Sequence, residues 1–140
     1  MIKITKETSV SIDDILHLYQ AVGWTNYTNQ PQMLAQALTH SLAIYLARDG
    51  EEIVGLVRLI GDGFSSVFVQ DLIVLPTYQR QGIGSTLMKQ ALYDYKDTYQ
   101  IQLATEESEK TLGFYRSLGF ETLSSFQCTG MILVDRKKLK

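Results

Sequence analysis

Asp71-Leu72-Ile73-Val74-Leu75-Pro76-Thr77-Tyr78-Gln79-Arg80-Gln81-Gly82-Ile83-Gly84-Ser85-Thr86-Leu87 runs from an apolar strand, through a proline break, into a helix that opens behind two glycines. The first N–H groups of such a helix have no partner within it, and the aligned peptide dipoles place partial positive charge there. That end can hold a pyrophosphate. Gly82 and Gly84 remove Cβ atoms, so phosphate oxygens can approach the backbone closely. Arg80 can add a charge-assisted contact. Two other phosphate motifs are excluded. A P-loop needs Gly-Lys followed by Ser or Thr, and no such sequence follows these glycines. The dinucleotide fingerprint needs a third Gly or Ala where Leu87 stands.

Working upstream, residues 66–75 are rich in Val and Phe and read as a strand that Pro76 ends. Gly61-Asp62-Gly63 and Asp49-Gly50 are turn signals, and they bound strands over 52–60 and 41–48. Earlier still, Ile15, Leu16, Leu18, Tyr19 and Val22 recur at helical spacing behind a Ser11 cap, with Asp13 and Asp14 in the first turn. That helix stops near Gly23. A polar loop with two aromatics covers 24–30, and Pro31 opens a second helix to about His40. Residues 1–5 alternate weakly, as an edge strand does. Downstream, Ile83, Leu87, Ala91 and Leu92 mark one face of a helix over 82–95. A short strand follows over 100–104. A helix over 108–118 ends at Gly119, and two more strands fit 120–123 and 128–134. This order predicts one domain over 1–140, of the α/β (α+β) class. Its mixed, mostly antiparallel central sheet would have six to seven strands, flanked by four helices on both faces.

The 140 residues suffice for one core, and 20% charged with 45% hydrophobic residues is an ordinary globular composition. A net charge of −2 gives no field that favours nucleic acid. The basic run from Arg136 to Lys140 reads as a solvated tail. The single cysteine, Cys128, excludes an internal disulfide and reads as half-buried in the last strand. The N-terminus does not read as a signal peptide, and no apolar run suits a membrane span, so a cytoplasmic protein is expected. No metal is implied, because the two histidines and one cysteine are scattered.

Gln79-x-x-Gly82-x-Gly84 matches the (Gln/Arg)-x-x-Gly-x-(Gly/Ala) motif of the GNAT acetyltransferase superfamily. Further on, Gly113-Phe114-Tyr115-Arg116-Ser117-Leu118-Gly119-Phe120 resembles the Phe-Tyr-x-x-x-Gly-Phe signature at the end of that family's last helix. The resemblance covers 53–120. It implies the acyl-CoA N-acyltransferase fold and acetyl-CoA as co-substrate. It assigns Gln79, Arg80, Gln81, Gly82, Ile83, Gly84, Ser85 and Thr86 to the pyrophosphate, and the backbone of Leu72, Ile73 and Val74 to the pantetheine arm. Ser108 stands where family members often carry an Asn that helps hold the cofactor. Tyr115 is the implied general acid. A thiol titrates near 8.5 and a tyrosine near 10, so a positioned phenol can protonate the leaving sulfur. Phe114, Leu118 and Phe120 read as core.

An alkylamine is largely protonated near neutral pH, so some group must take its proton. Strict alternation puts Val67, Val69, Asp71 and Ile73 on one face of a strand, and an acid among apolar residues suits that task. Asp71 is therefore the candidate base. A carboxylate satisfied by neighbouring backbone N–H groups is the other reading. Tyr27, His40 and Glu106 are further candidates, while His17 reads as a surface residue. For the acceptor, Trp24, Asn26, Tyr27 and Asn29 lie in the loop between the first two helices; the aromatics line a pocket or close the core beneath it. Arg58 and Asp62 are placed to face the same cleft. The segments from Gly55 to Arg58 and from Asp71 to Val74 are similar to a subgroup that includes plant serotonin N-acetyltransferases, which suggests an arylalkylamine. The expected reaction is acetyl transfer to a small-molecule primary amine by direct attack in a ternary complex, with no nucleic-acid or membrane partner. A non-catalytic coenzyme A-binding module and a protein N-terminal or lysine acetyltransferase are the alternatives. Exposed C-terminal strands would allow a homodimer.

Overall fold

Gly50 turns the chain between two long antiparallel strands, β2 (Ala43–Asp49) and β3 (Glu52–Gly61), with Asp49 opposite Glu52. Its φ of 62° lies in the left-handed region that glycine enters without a Cβ clash. β1 (Ile2–Glu7) adds antiparallel to β2, and β4 (Ser66–Val74) adds antiparallel to β3. β5 (Gln100–Leu103) then pairs parallel to β4. The sheet order is β1-β2-β3-β4-β5. The computed structural model describes residues 1–139, in two compact units, Met1–Leu103 and the segment from Ala104 onward.

In the first unit, α1 (Ile12–Ala21) begins at Ser11, whose hydroxyl accepts from the Asp13 N–H at 3.3 Å. α3 (Pro31–Thr39) carries its proline at the first turn, where a missing N–H costs nothing. The expected polar loop between them is partly helical, with one short turn, α2 (Thr25–Thr28). Ile15, Leu18 and Tyr19 of α1 and Leu34 and Leu38 of α3 pack with Ile44, Leu46, Ile53, Leu56 and Ile73 of the sheet. α4 (Ile83–Asp94) covers the other face and buries Ile83, Leu87, Met88 and Ala91. A Cβ at Gly55 would sit 3.2 Å from Leu87 Cδ1, which shows how closely α4 lies on β3.

One irregularity governs the rest. Arg58 pairs with Asp71 while the next residue, Leu59, pairs with Val69, so Gln70 is an extra residue bulged out of β4. Opposed residues share a face and successive residues alternate. Val67 and Val69 therefore share the α4 face with Leu59. Asp71 and Ile73 share the α1 face with Arg58 and Leu56. The single face expected for Val67, Val69, Asp71 and Ile73 is thus split in two.

In the second unit, α5 (Glu109–Ser117) is followed by 3-10 turns at Leu123–Phe126 and Arg136–Leu139. The strands expected over 120–123 and 128–134 are absent among the described residues, which leaves five strands where six to seven were expected. Thr122 Oγ1 lies 3.1 Å from the hydroxyls of both Ser124 and Ser125, which favours a tight turn over an extended run. Residues 128–134 have β propensity but form no strand among the described residues, and propensity alone does not make one. Met131, Ile132 and Val134 are 95%, 85% and 86% exposed. Cys128 is exposed rather than half-buried. Within the basic C-terminal run, Lys140 lies outside the described residues. No helix among the described residues is long and apolar enough to cross a membrane.

The turn into β4 depends on Gly61, at φ 129°. A Cβ there would run into the backbone carbonyl of Ser66. Gly61→Ala is expected to cost about 2 kcal/mol or more, read as a lower urea midpoint at unchanged slope.

Candidate functional site

The phosphate turn is built from backbone. Pro76–Tyr78 form a 3-10 turn, and the Tyr78 hydroxyl donates to Asp49 Oδ2 at 2.7 Å, tying the loop to the β2–β3 hairpin. The hydrogen bond to Asp49 is the chief cause that pushes the Tyr78 phenol up to about 12. Arg80 and Gly82 both take positive φ, 65° and 80°, so the chain doubles back just before α4. Gly82 caps α4 without any side-chain hydrogen bond, and no acid occupies the first helical turn. The N–H groups of Ile83, Gly84 and Ser85 therefore remain free to meet an anion. Two of the expected phosphate residues are engaged locally. Gln79 Nε2 donates to the Val74 carbonyl at 3.1 Å, and the Thr86 hydroxyl donates to the Gly82 carbonyl at 2.8 Å. Gln79 holds the loop against the strand, and the guanidinium of Arg80 extends from an exposed position.

Beside this turn the sheet has an open edge. β5 pairs only with Ser66 to Val69, so the β5-side edge of β4 has no strand partner from Gln70 to Val74 among the described residues. Of the residues expected along the pantetheine arm, Leu72 and Val74 turn their backbone groups to this edge, while Ile73, opposite Leu56, turns its own toward β3. Gln79 already occupies the Val74 carbonyl.

Asp71 sits behind that edge at the centre of a buried network. Its Oδ2 accepts from Arg58 Nε at 2.8 Å and from the Tyr19 hydroxyl at 2.8 Å. Its Oδ1 accepts only from the Tyr27 hydroxyl, at 3.0 Å. The satisfied carboxylate of the sequence reading is real, but side chains satisfy it rather than backbone N–H groups. Arg58, expected to touch the acceptor, is 4% exposed and faces inward. Its other nitrogens reach Ser41 Oγ at 3.3 Å and the Tyr27 hydroxyl at 3.2 Å. Burial pulls the Arg58 guanidinium down, but the Asp71 charge and hydrogen bond outweigh it and the net direction is upward. Burial first, then the Asp71 charge, hold the Tyr19 phenol far above its usual range, so it stays a donor.

Trp24 and Tyr27 are half-buried and pack on Tyr19, with ring centroids 6.0 and 5.0 Å from it. They close the core beneath α2 and still show a face to solvent. Tyr19, Ser41 and Gln70 escaped the sequence reading. A tyrosine on the apolar face of a helix was the available signal, because a buried phenol needs a partner. Asp62 is not in this group. Its carboxylate accepts from the Ser65 hydroxyl and from the N–H groups of Phe64, Ser65 and Ser66; these bonds, the Ser65 hydroxyl first, hold it well below the usual carboxylate range. His17 is half-buried and donates to the Ile53 carbonyl at 2.8 Å, and His40 bonds the Gln36 carbonyl within its own helix.

In the second unit, Ser108 caps α5, accepting from the Thr111 N–H at 3.1 Å and donating to the Thr111 hydroxyl at 2.8 Å. Its side chain is a helix cap, not a free cofactor ligand. Glu106 accepts from the same Thr111 hydroxyl at 3.2 Å. Tyr115 is half-buried between Phe114 and Phe120, with centroids 5.0 and 5.9 Å away. Its hydroxyl has no hydrogen-bond partner among the described residues, and burial pushes it upward, so it is a neutral phenol with a proton to give.

A bulge, an open strand edge and an unblocked helix N-terminus thus follow one another along the chain, and the comparisons identify the family. The Acetyltransferase (GNAT) domain family matches residues 40–122, more than half of the chain, and the chain belongs to it. A GNAT family acetyltransferase from Streptococcus pneumoniae TIGR4 is 68% identical, with a TM-score of 0.91 over 97% of this chain and 99% of that one. A GNAT family acetyltransferase from Elizabethkingia anophelis, solved with acetyl-CoA bound, is 25% identical, with a TM-score of 0.63 over 86% of this chain and 76% of that one. Serotonin N-acetyltransferase 2, chloroplastic, of Oryza sativa subsp. japonica is 27% identical over 117 residues. That match takes in 81% of this chain and 58% of the relative, so the chain spans less than two thirds of its length.

Removing one partner of the Arg58–Asp71 pair strands a buried charge. Asp71→Leu alone is expected to cost about 3–5 kcal/mol, and Arg58→Met in the same chain should restore most of it. Chemical unfolding of the two single variants and the double variant reads the cycle.

Proposed function

We propose that this chain is an acetyl-CoA-dependent N-acetyltransferase acting on the primary amine of a small molecule, by direct attack in a ternary complex. The observation that carries it is the α4 N-terminus, where Arg80 and Gly82 take positive φ, no side chain caps the helix and no acid occupies its first turn. That end takes the pyrophosphate of coenzyme A. The open edge of β4 takes the amide-bearing pantetheine arm as an added strand would. Tyr115, a neutral phenol, is the proposed proton donor to the departing thiolate. All 140 residues are proposed to form one domain, a reading supported by the family match over 40–122, which begins in the first unit and ends in the second.

The half-buried aromatics Trp24 and Tyr27 favour an arylalkylamine acceptor, and the rice relative's name points the same way. A second reading, a coenzyme A-binding module without turnover, draws on one observation. Asp71 is only 3% exposed and so does not meet an acceptor directly.

Calorimetric titration with acetyl-CoA tests the central claim. The wild-type protein is expected to bind in the micromolar range, and the Gly82→Glu, Gly84→Glu variant to lose binding while keeping its melting temperature within a few degrees. Absence of binding by the wild-type protein would sink the proposal. Thiol release with a panel of amines then separates the enzyme from the silent module, and Tyr115→Phe is expected to lower kcat by about 100-fold.

A further inference from the structure

Asp71 is shut off from solvent, yet one of its oxygens is held much more lightly than the other. Arg58 and Tyr19 both bond Oδ2, whereas Oδ1 accepts from Tyr27 alone. The Tyr27 hydroxyl in turn points its proton at Oδ1 and receives Arg58 at 3.2 Å. Its remaining approach is held by the exposed Gln70 amide at 3.4 Å, a long contact that an incoming N–H can displace. Gln70 is the bulged residue, so this phenol stands where the free edge of β4 begins.

We propose that Tyr27 is the residue that meets the acceptor amine and relays its proton to Asp71. The inference rests on the acetyltransferase reading above and supplies the base it lacked. The ammonium gives a proton to Tyr27 Oη as the Tyr27 proton passes to Asp71 Oδ1. The amine becomes neutral, Asp71 becomes a carboxylic acid, and Tyr27 ends as it began. The net charge is unchanged, and Arg58 and Tyr19 keep their bonds to Oδ2 throughout. The amine lone pair then attacks the thioester carbon. The N–C bond forms, the C–S bond breaks with its electron pair on sulfur, and the second amine proton leaves with the thiol. Asp71 returns its proton to water through Tyr27. In this scheme Tyr27 is the catalytic residue, and Arg58 and Tyr19 are positioning residues that aim the carboxylate.

The test uses 2-phenylethylamine and its β,β-difluoro analogue at about pH 8, where the parent is largely protonated and the analogue largely neutral. Tyr27→Phe keeps the ring and removes the relay. It is expected to lower kcat/KM about 100-fold for 2-phenylethylamine but no more than about threefold for the difluoro amine. Acetyl-CoA affinity and melting temperature should hold. Equal losses for both amines would mean that Tyr27 only shapes the pocket, and would overturn the relay, as would no loss with either. A wild-type protein that binds acetyl-CoA but acetylates neither amine overturns the arylalkylamine reading, and the relay with it. A wild-type protein that does not bind acetyl-CoA overturns the acetyltransferase reading itself.

Discussion

Arg58 and Asp71 form an ion pair with both side chains almost out of water, and the geometry of the first unit is arranged to make it tolerable. Taking two charges out of solvent is costly, and attraction alone rarely compensates. Here Tyr19, Tyr27 and Ser41 supply the further hydrogen bonds. The pair depends on Gln70 standing outside the β4 register. With Gln70 in regular register it would stand opposite Arg58, Asp71 would turn to the face of Val69, and Arg58 would be buried alone. The same bulge marks where the β4 edge becomes free. One inserted residue thus sets both the buried carboxylate and the start of the free edge beside it.

The parts of the fold legible in sequence were those encoded locally. Asp49-Gly50, Ser11, Pro31, Pro76 and Gly119 each act through backbone or hydrogen-bond rules that span a few residues, and the elements they bound were placed within a residue or two. The turn from Pro76 into the helix at Ile83 was legible for the same reason. The bulge was not, because Val67, Val69, Asp71 and Ile73 keep a clean period of two in sequence and in burial while the register changes beneath them. Alternation says that every second residue is buried. It does not say on which side of the sheet.

Arg58, Ser108 and Gln79 teach a related lesson. Each has the chemistry of a ligand-binding residue, and each has its side chain committed to the protein itself, in an ion pair, a helix cap and a loop staple. Residue type reveals what a side chain can donate or accept, but not what reaches it first. Tyr19 is the converse case. It looked like core and is core, yet its hydroxyl holds the carboxylate in place.

The tail has a consequence for the protein as a material. Residues 129–134 form a short, uncharged, proline-free window rich in β-formers, and its large side chains stand in water. Such windows stack readily into fibrillar zippers. The charges that follow at once, Asp135 through Lys138, act as gatekeepers, because an in-register stack would bring like charges together along the fibre. That protection is electrostatic. It fades as the Debye length falls from about 10 Å at 0.1 M salt to about 3 Å at 1 M, so the colloidal stability of this chain is tied to ionic strength as well as to folding.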